Sequence, residues 1–196
     1  FENLQVFSIS HPALIKYLGE RCIDIEIART ICKELHFDTR GKHYFGIGFP
    51  NIAGGYEIRN PFFKGCIAPK DISHFYAEEP KKVCFLFEGF MDFLSFMTLL
   101  RKENDGLKRQ DYLVLNSVSN IQKALEPLSH YENVQCFLDT DEAGRNAYLQ
   151  LSKELRKPIT DASTLYNGYK DLNEYLCAES KHSERAEIKK SKGLKL

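Results

Sequence analysis

Three short apolar runs constrain this chain more than any other feature. Residues 83–87, 112–115 and 134–138 are almost uninterruptedly apolar, and each precedes a segment with helical character. A run of this length and composition reads as a strand buried on both faces, which belongs in a parallel sheet. Helices are expected at about 90–102, where Phe93, Phe96, Met97 and Leu100 share a face, and at about 119–128 and 142–156. A last strand is expected within 159–165 and a short helix over 171–178. Strands alternating with helices require right-handed crossovers and a sheet covered on both faces. The expected class is α/β, with a central parallel sheet flanked by helices.

The residues before position 80 have a different grain. Residues 10–37 read as helical, with Ser10 as a cap, Pro12 in a first turn, and Asp24 capping a helix over 25–35. Ile27, Ile31 and Leu35 recur there at helical spacing. Residues 43–67 alternate aromatic or aliphatic residues with polar ones around Gly-rich turns, the pattern of antiparallel strands. The polar, proline-containing stretch 77–82 is the expected boundary. The chain therefore divides into a smaller α+β lobe (1–79), an α/β domain (80–178) and a basic helix or tail (179–196).

Composition narrows the class further. With 196 residues and 43% hydrophobic content, the chain suits one medium globular domain or two small lobes. No apolar run approaches a membrane span, so no membrane partner is expected. The start has no basic region leading into an apolar stretch, so no signal peptide is expected, and the absence of Met at position 1 suggests a piece of a longer protein. The six cysteines form no CxxC pair, so no zinc is expected in this chain. Cys84 and Cys136 read as buried thiols, and a reducing cytoplasm is the simplest location. Net charge is zero, but residues 181–196 carry six Lys/Arg against two Glu, a net of +4, leaving −4 for residues 1–180. A nucleic-acid partner must then meet a local basic patch or the tail, although a solvated helix end explains the tail equally well.

Acidic residues follow the predicted strands. Glu88-Gly89-Phe90-Met91-Asp92 comes after the first run and Asp139-Thr140-Asp141 after the third, with Ala143-Gly144 opening a helix. Asp92 is one helical turn from Glu88 and can share its face. A third group, Lys170-Asp171-Leu172-Asn173-Glu174, offers oxygen ligands two residues apart. Each group has an ordinary explanation as a helix cap, and a residue can be both cap and ligand. Carboxylates at the C-terminal ends of parallel strands converge on the crevice where open α/β sheets hold ligands. Several together require a cation, which predicts Mg²⁺ (or Mn²⁺) and phosphate chemistry. The six histidines show no paired ligand spacing and receive no role.

These groups, in this order, resemble the Toprim domain shared by bacterial-type primases, type IA and type II topoisomerases, OLD-type nucleases and recombination mediators. The hallmark Glu of an EGxxD setting matches Glu88, and the DxD followed by Ala-Gly matches Asp139, Asp141, Ala143 and Gly144. The primase branch adds a late Lys-Asp-x-Asp/Asn element, matching Lys170, Asp171 and Asn173. Leu18-Gly19-Glu20-Arg21-Cys22-Ile23 is similar to the opening of the primase catalytic core, and residues 45–64 to its β-rich segment. The likeness points to primase-like proteins of Bacteroides-type genomes and mobile elements, which usually carry a CHC2-type zinc finger upstream. Two departures stand out: residues 115–120 lack the usual Gly-Thr, and Asn173 replaces a carboxylate.

The resemblance implies a DNA primase-like nucleotidyltransferase making RNA primers on single-stranded DNA, in replication of a chromosome or mobile element. It implies Glu88, Asp139 and Asp141 as catalytic residues, and adds Asp92, Asp171 and Asn173 around the metal. Arg59, Lys64 and Lys170 would contact template or nucleotide phosphates, although Arg59 and Lys64 read equally well as exposed sheet charges. Ribonucleoside triphosphates and a replicative helicase are the other implied partners. A Toprim nuclease, or a non-catalytic DNA-binding or mobilisation module, remains open.

Overall fold

The structure is a computed structural model that describes residues 2–101 and 109–193, with side chains described to residue 183. Two five-stranded sheets organise it. The first is antiparallel and runs in sequence order: β1 (Glu2–Phe7), β2 (Lys33–Thr39), β3 (Lys42–Pro50), β4 (Tyr56–Arg59) and β5 (Lys64–Ile67). Arg40 and Gly41 join β2 to β3, both with positive φ (51° and 71°), as a two-residue turn matched to strand twist requires.

Helices α1 (Pro12–Glu20) and α2 (Ile25–Ile31) pack on this sheet. Asp24 caps α2 as expected, accepting from the amides of Glu26 and Ile27 at 2.8 and 3.3 Å. The expectations for this region need three corrections. The cap of α1 is His11, whose Nδ1 accepts from Ala13 N at 3.1 Å, and not Ser10. The helix expected over 25–35 ends at Ile31, because Cys32 is extended (φ −101°, ψ 166°) and β2 begins at Lys33. Leu35 and Phe37 recur at the strand period and enter a small core with Ile58. Finally, β1 is an addition to the sequence expectation; all six of its residues are exposed.

The second sheet has the order β10-β9-β7-β8-β6. Strands β7 (Val83–Phe87), β8 (Asp111–Val114), β9 (Asn133–Phe137) and β10 (Ile159–Asp161) are parallel. Strand β6 (Ser73–Phe75), which lies before the 77–82 stretch, adds to its edge antiparallel to β8. Helices α3 (Phe90–Arg101), α4 (Ile121–Ser129), α5 (Glu142–Leu155) and α6 (Leu172–Gly193) cover it. The fold is α/β as expected, and the last helix runs on beyond 178. The two faces of β7 go to two cores. Phe85 and Phe87 meet α3 and α6, whereas Cys84 and Leu86 meet the residues of α4 and α5. No helix among the described residues is long and apolar enough to cross a membrane.

The first core is continuous across both sheets. Phe49 of β3 stacks on Phe90 of α3 at 5.1 Å between ring centroids and sits edge-on to Phe93 at 5.9 Å. Strand order places a switch point between β7 and β9, because the chain leaves β7 for β8 on one side and returns to β9 on the other. A crevice opens at such a point beyond the carboxyl ends of the strands.

Candidate metal centre and interlobe cleft

The acidic residues meet at that switch point. Glu88 follows β7, Asp92 is in the first turn of α3, Asp139 follows β9, and Asp171 immediately precedes α6. One carboxylate oxygen each from Asp92, Asp139 and Asp171 lies within 4.8 Å of the others. Glu88 joins them through its Oε2, which accepts from the Asp139 amide at 3.3 Å.

Local packing fixes this geometry. A Cβ on Gly144 would stand 1.9 Å from the Asp139 carbonyl oxygen, so only glycine lets the start of α5 close on the 139–141 loop. Thr140 ties that loop to the one before α6: its amide donates to Lys170 O at 2.8 Å and its hydroxyl to Tyr169 O at 2.9 Å. Asp171 also caps α6, accepting from Glu174 N at 2.7 Å, while Glu174 accepts from Lys170 N at 2.6 Å. It is therefore cap and member of the triad at once.

Crowding raises the proton affinity of these groups. Burial pushes Asp139 up to about 7, helped by the charges of Glu88 and Asp171 and opposed by Lys170. Burial also lifts Asp92 well above the usual carboxylate range, with Asp171 and Asp139 adding to it. Glu88 is raised by burial, against the Asp139 amide, Lys64 and Lys170. A hard divalent cation fits such a set, because it needs oxygen ligands and cancels the repulsion that burial intensifies.

The other expected site residues fall around this centre. Asp141 caps α5 through Gly144 N at 3.1 Å, and its Oδ2 lies 3.7 Å from Lys170 Nζ, which is 3.9 Å from Asp139. Asp141 is not part of the close triad. Asn173 is buried beneath it, and its amide nitrogen donates to Arg21 O at 2.9 Å and Ser95 Oγ at 2.8 Å. Its backbone N–H donates to Asp92 at 3.3 Å. A carboxylate at 173 could not donate to Arg21, and it would add another charge beside Asp92. Arg59 and Lys64 face the carboxylates across a cleft of about 360 Å³, which Lys170 also lines.

Sequence reasoning assigned no role to three further cleft residues, Arg21, Asn116 and Ser117. Arg21 lies in a quoted motif without a task, and its Nε is buried with no partner. Asn116 has φ 63°, a left-handed conformation natural to glycine and tolerated by Asn. Its amide nitrogen is held by Asp71 O and Ser73 Oγ, both at 2.9 Å. The missing glycine therefore leaves the turn after β8 intact.

Residues 85–176 match the family described as Toprim-like. This segment is a Toprim-like domain. Residues 3–68 match a family described as a domain of unknown function (DUF8464). Sequence comparison with curated proteins gives no significant match. Among solved structures, the primase fragment of the bacteriophage T7 primase-helicase protein aligns with a TM-score of 0.58 at 18% identity, covering 93% of this chain and 78% of that one. The T7 primase domains bound to an RNA/DNA hybrid and dTTP, in complex with a lagging-strand DNA polymerase, align at 0.56 and 15%, covering 93% and 89%. The Aquifex aeolicus primase, with its zinc-binding and RNA polymerase domains, aligns at 0.58 and 15%, covering 94% and 57%. Both the lobe before the Toprim-like domain and the domain itself thus share the fold of primase fragments.

Proposed function

We propose that this chain is a DNA primase-like catalytic core that joins ribonucleotides on a single-stranded DNA template. One observation carries the reading: three carboxylates converge in a cleft whose opposite wall, from the first lobe, supplies Arg59 and Lys64. The relatives that share both lobes are primases, one of them captured with an RNA/DNA hybrid and dTTP. A replicative helicase is the partner this reading implies.

Asp92, Asp139 and Asp171 would hold Mg²⁺ or Mn²⁺, with Glu88 and Asp141 beside them. The bound ion would neutralise triphosphate charge and acidify the attacking hydroxyl. Arg59, Lys64 and Lys170 would hold phosphate oxygens by charge-assisted hydrogen bonds. Glu88, with its raised proton affinity, would accept the 3′-hydroxyl proton. The hydroxyl oxygen then bonds to the α-phosphorus, the bond to the β-phosphate oxygen breaks, and pyrophosphate leaves.

Template-directed incorporation of labelled ribonucleotides, with and without divalent metal, tests this. Metal-dependent extension that Asp139→Ala abolishes is expected. Cleavage of the template without synthesis would favour a nuclease. Template binding with no chemistry, indifferent to Asp139→Ala, would favour a binding module.

A further inference from the structure

The first sheet holds a second convergence of side chains, and none of them lines the acidic cleft. In the pairing of β2 with β3, Asp38 lies opposite His43 and His36 opposite Phe45. His36 and His43 are therefore diagonal neighbours, within reach of each other across the strands. His36 Nδ1 lies 3.0 Å from His43 Nε2. The outer nitrogens are both backed by carboxylates: His36 Nε2 is 2.8 Å from Glu34 Oε1, and His43 Nδ1 is 2.9 Å from Asp38 Oδ1. These carboxylates are fixed in turn. Glu34 is buried and accepts from the amides of Ser10 and His11 at 2.9 and 2.8 Å. Asp38 accepts from Asn3 Nδ2 at 2.8 Å. Phe7 and Phe45 hold the His36 ring between them, at 5.5 and 5.8 Å between centroids.

A proton count shows what the array lacks. A neutral imidazole carries one N–H, and in the tautomer in which each ring gives it to its carboxylate both carboxylates are satisfied. The two inner nitrogens then face each other with lone pairs across 3.0 Å. In that arrangement a proton or a metal ion shared between the inner nitrogens completes the array. An imidazole that gives its outer N–H to a carboxylate is also the usual arrangement of a metal-binding histidine, and it occurs here twice.

We propose that His36 and His43 bind an imidazole-seeking divalent transition-metal ion of the Zn²⁺ or Ni²⁺ class, with Glu34 and Asp38 orienting the rings. Metal–nitrogen bonds of about 2.0–2.1 Å put nitrogens at this spacing about 95° apart around the ion. The more exposed ring, His43, opens that angle towards tetrahedral by a small rotation and gives the ion entry. Water fills the remaining positions. Mg²⁺ is not expected here, because it takes oxygen ligands. The expectation of no zinc rested on the cysteines and on the absence of paired histidine spacing along the sequence, and strand register is what brings these histidines together.

Imidazole ¹⁵N chemical shifts, followed during titration with ZnCl₂ in saturating Mg²⁺, read the site directly. Saturable shifts at both His36 and His43 are expected. His43→Ala should abolish the His36 response, and Asp38→Asn should weaken binding about 10–100-fold. Asp139→Asn should leave both responses intact, separating this site from the acidic centre. Ring nitrogens that ignore Zn²⁺ would show that a proton alone bridges the rings, and a His36 response equally strong in His43→Ala would show that the pair is not the site; either would overturn the proposal. Thermal melting of the exposed His43→Ala variant confirms that it is folded.

Discussion

Asp92 and Asp139 show how a site of this kind trades stability for chemistry. Both are held where burial and neighbouring carboxylates oppose ionisation. Asp92→Asn keeps the shape and the acceptor for the Asn173 amide while removing one acidic group. The metal-free variant should be more stable than the parent by about 0.5–2 kcal/mol at pH 8, as relief of active-site strain commonly is. It should lose most of the stabilisation that Mn²⁺ gives the parent. Melting curves with EDTA and with Mn²⁺ check both halves. The pH dependence follows from Asp139. Its ordinary value is 3.8 and its folded value about 7, so between those limits the folded chain binds more protons than the unfolded chain. Asp139 should therefore make the stability of the metal-free protein fall as pH rises from about 4 to 7, and the raised Asp92 and Glu88 add to the fall. Urea unfolding across this range should show the slope, and Asp139→Asn should make it shallower. The acidic residues were legible in the sequence because they follow recognisable strands. The task of Asn173 was not, because its partners Arg21 and Ser95 are distant in sequence. The His36–His43 pair was hidden for the same reason, since only the β2–β3 register reveals it.

At the level of elements, the 139–144 loop separates two roles that the DxD pattern presents together. Asp141 caps α5, so Asp141→Ala should cost about 1 kcal/mol of stability, and the Lys170 ammonium should lose one of its two partners. Asp139 caps nothing, and Asp139→Ala should abolish metal binding without that helix penalty. Calorimetric metal titration beside urea unfolding separates the two. Gly144→Ala is expected to be harsher than either. Its Cβ meets a backbone carbonyl rather than a flexible side chain, so the loop or the helix must move, costing about 1–3 kcal/mol and displacing Asp139. Legibility varied with the kind of element. The buried parallel strands announced themselves as apolar runs. The switch from α2 to β2 did not, because Ile27, Ile31 and Leu35 fit a helical period, while Leu35 and Phe37 also fit a strand. Tertiary burial against Ile58 decided between them. Strand β1 carries no buried face, so the signal that marks strands was never written into it.

At the scale of the whole molecule, the cleft exists only because the two sheets are held at a fixed separation. The polar stretch 77–82 marks a surface turn in the sequence, but it does not reveal which faces of the two lobes meet. Phe49 from the first sheet is fully buried against Phe90 and Phe93 of α3. The Asp24 amide donates to Thr98 Oγ1 at 3.1 Å, and Asp24 also pairs with Arg101. Asn173 reaches Arg21 from beneath the carboxylates. Apolar stacking and polar ties therefore join the basic wall to the acidic one, and unfolding of either half would expose the same core. Heating should melt the described lobes in one cooperative transition. Phe49→Ala removes the central ring and should cost about 3–5 kcal/mol. Because that ring packs on both sides of the junction, the loss should lower one shared transition rather than split it. Calorimetry decides: two resolved transitions in the unaltered chain, or a Phe49→Ala variant in which only one lobe loses stability, would mean that the lobes fold independently and that the cleft between them is not fixed by this core.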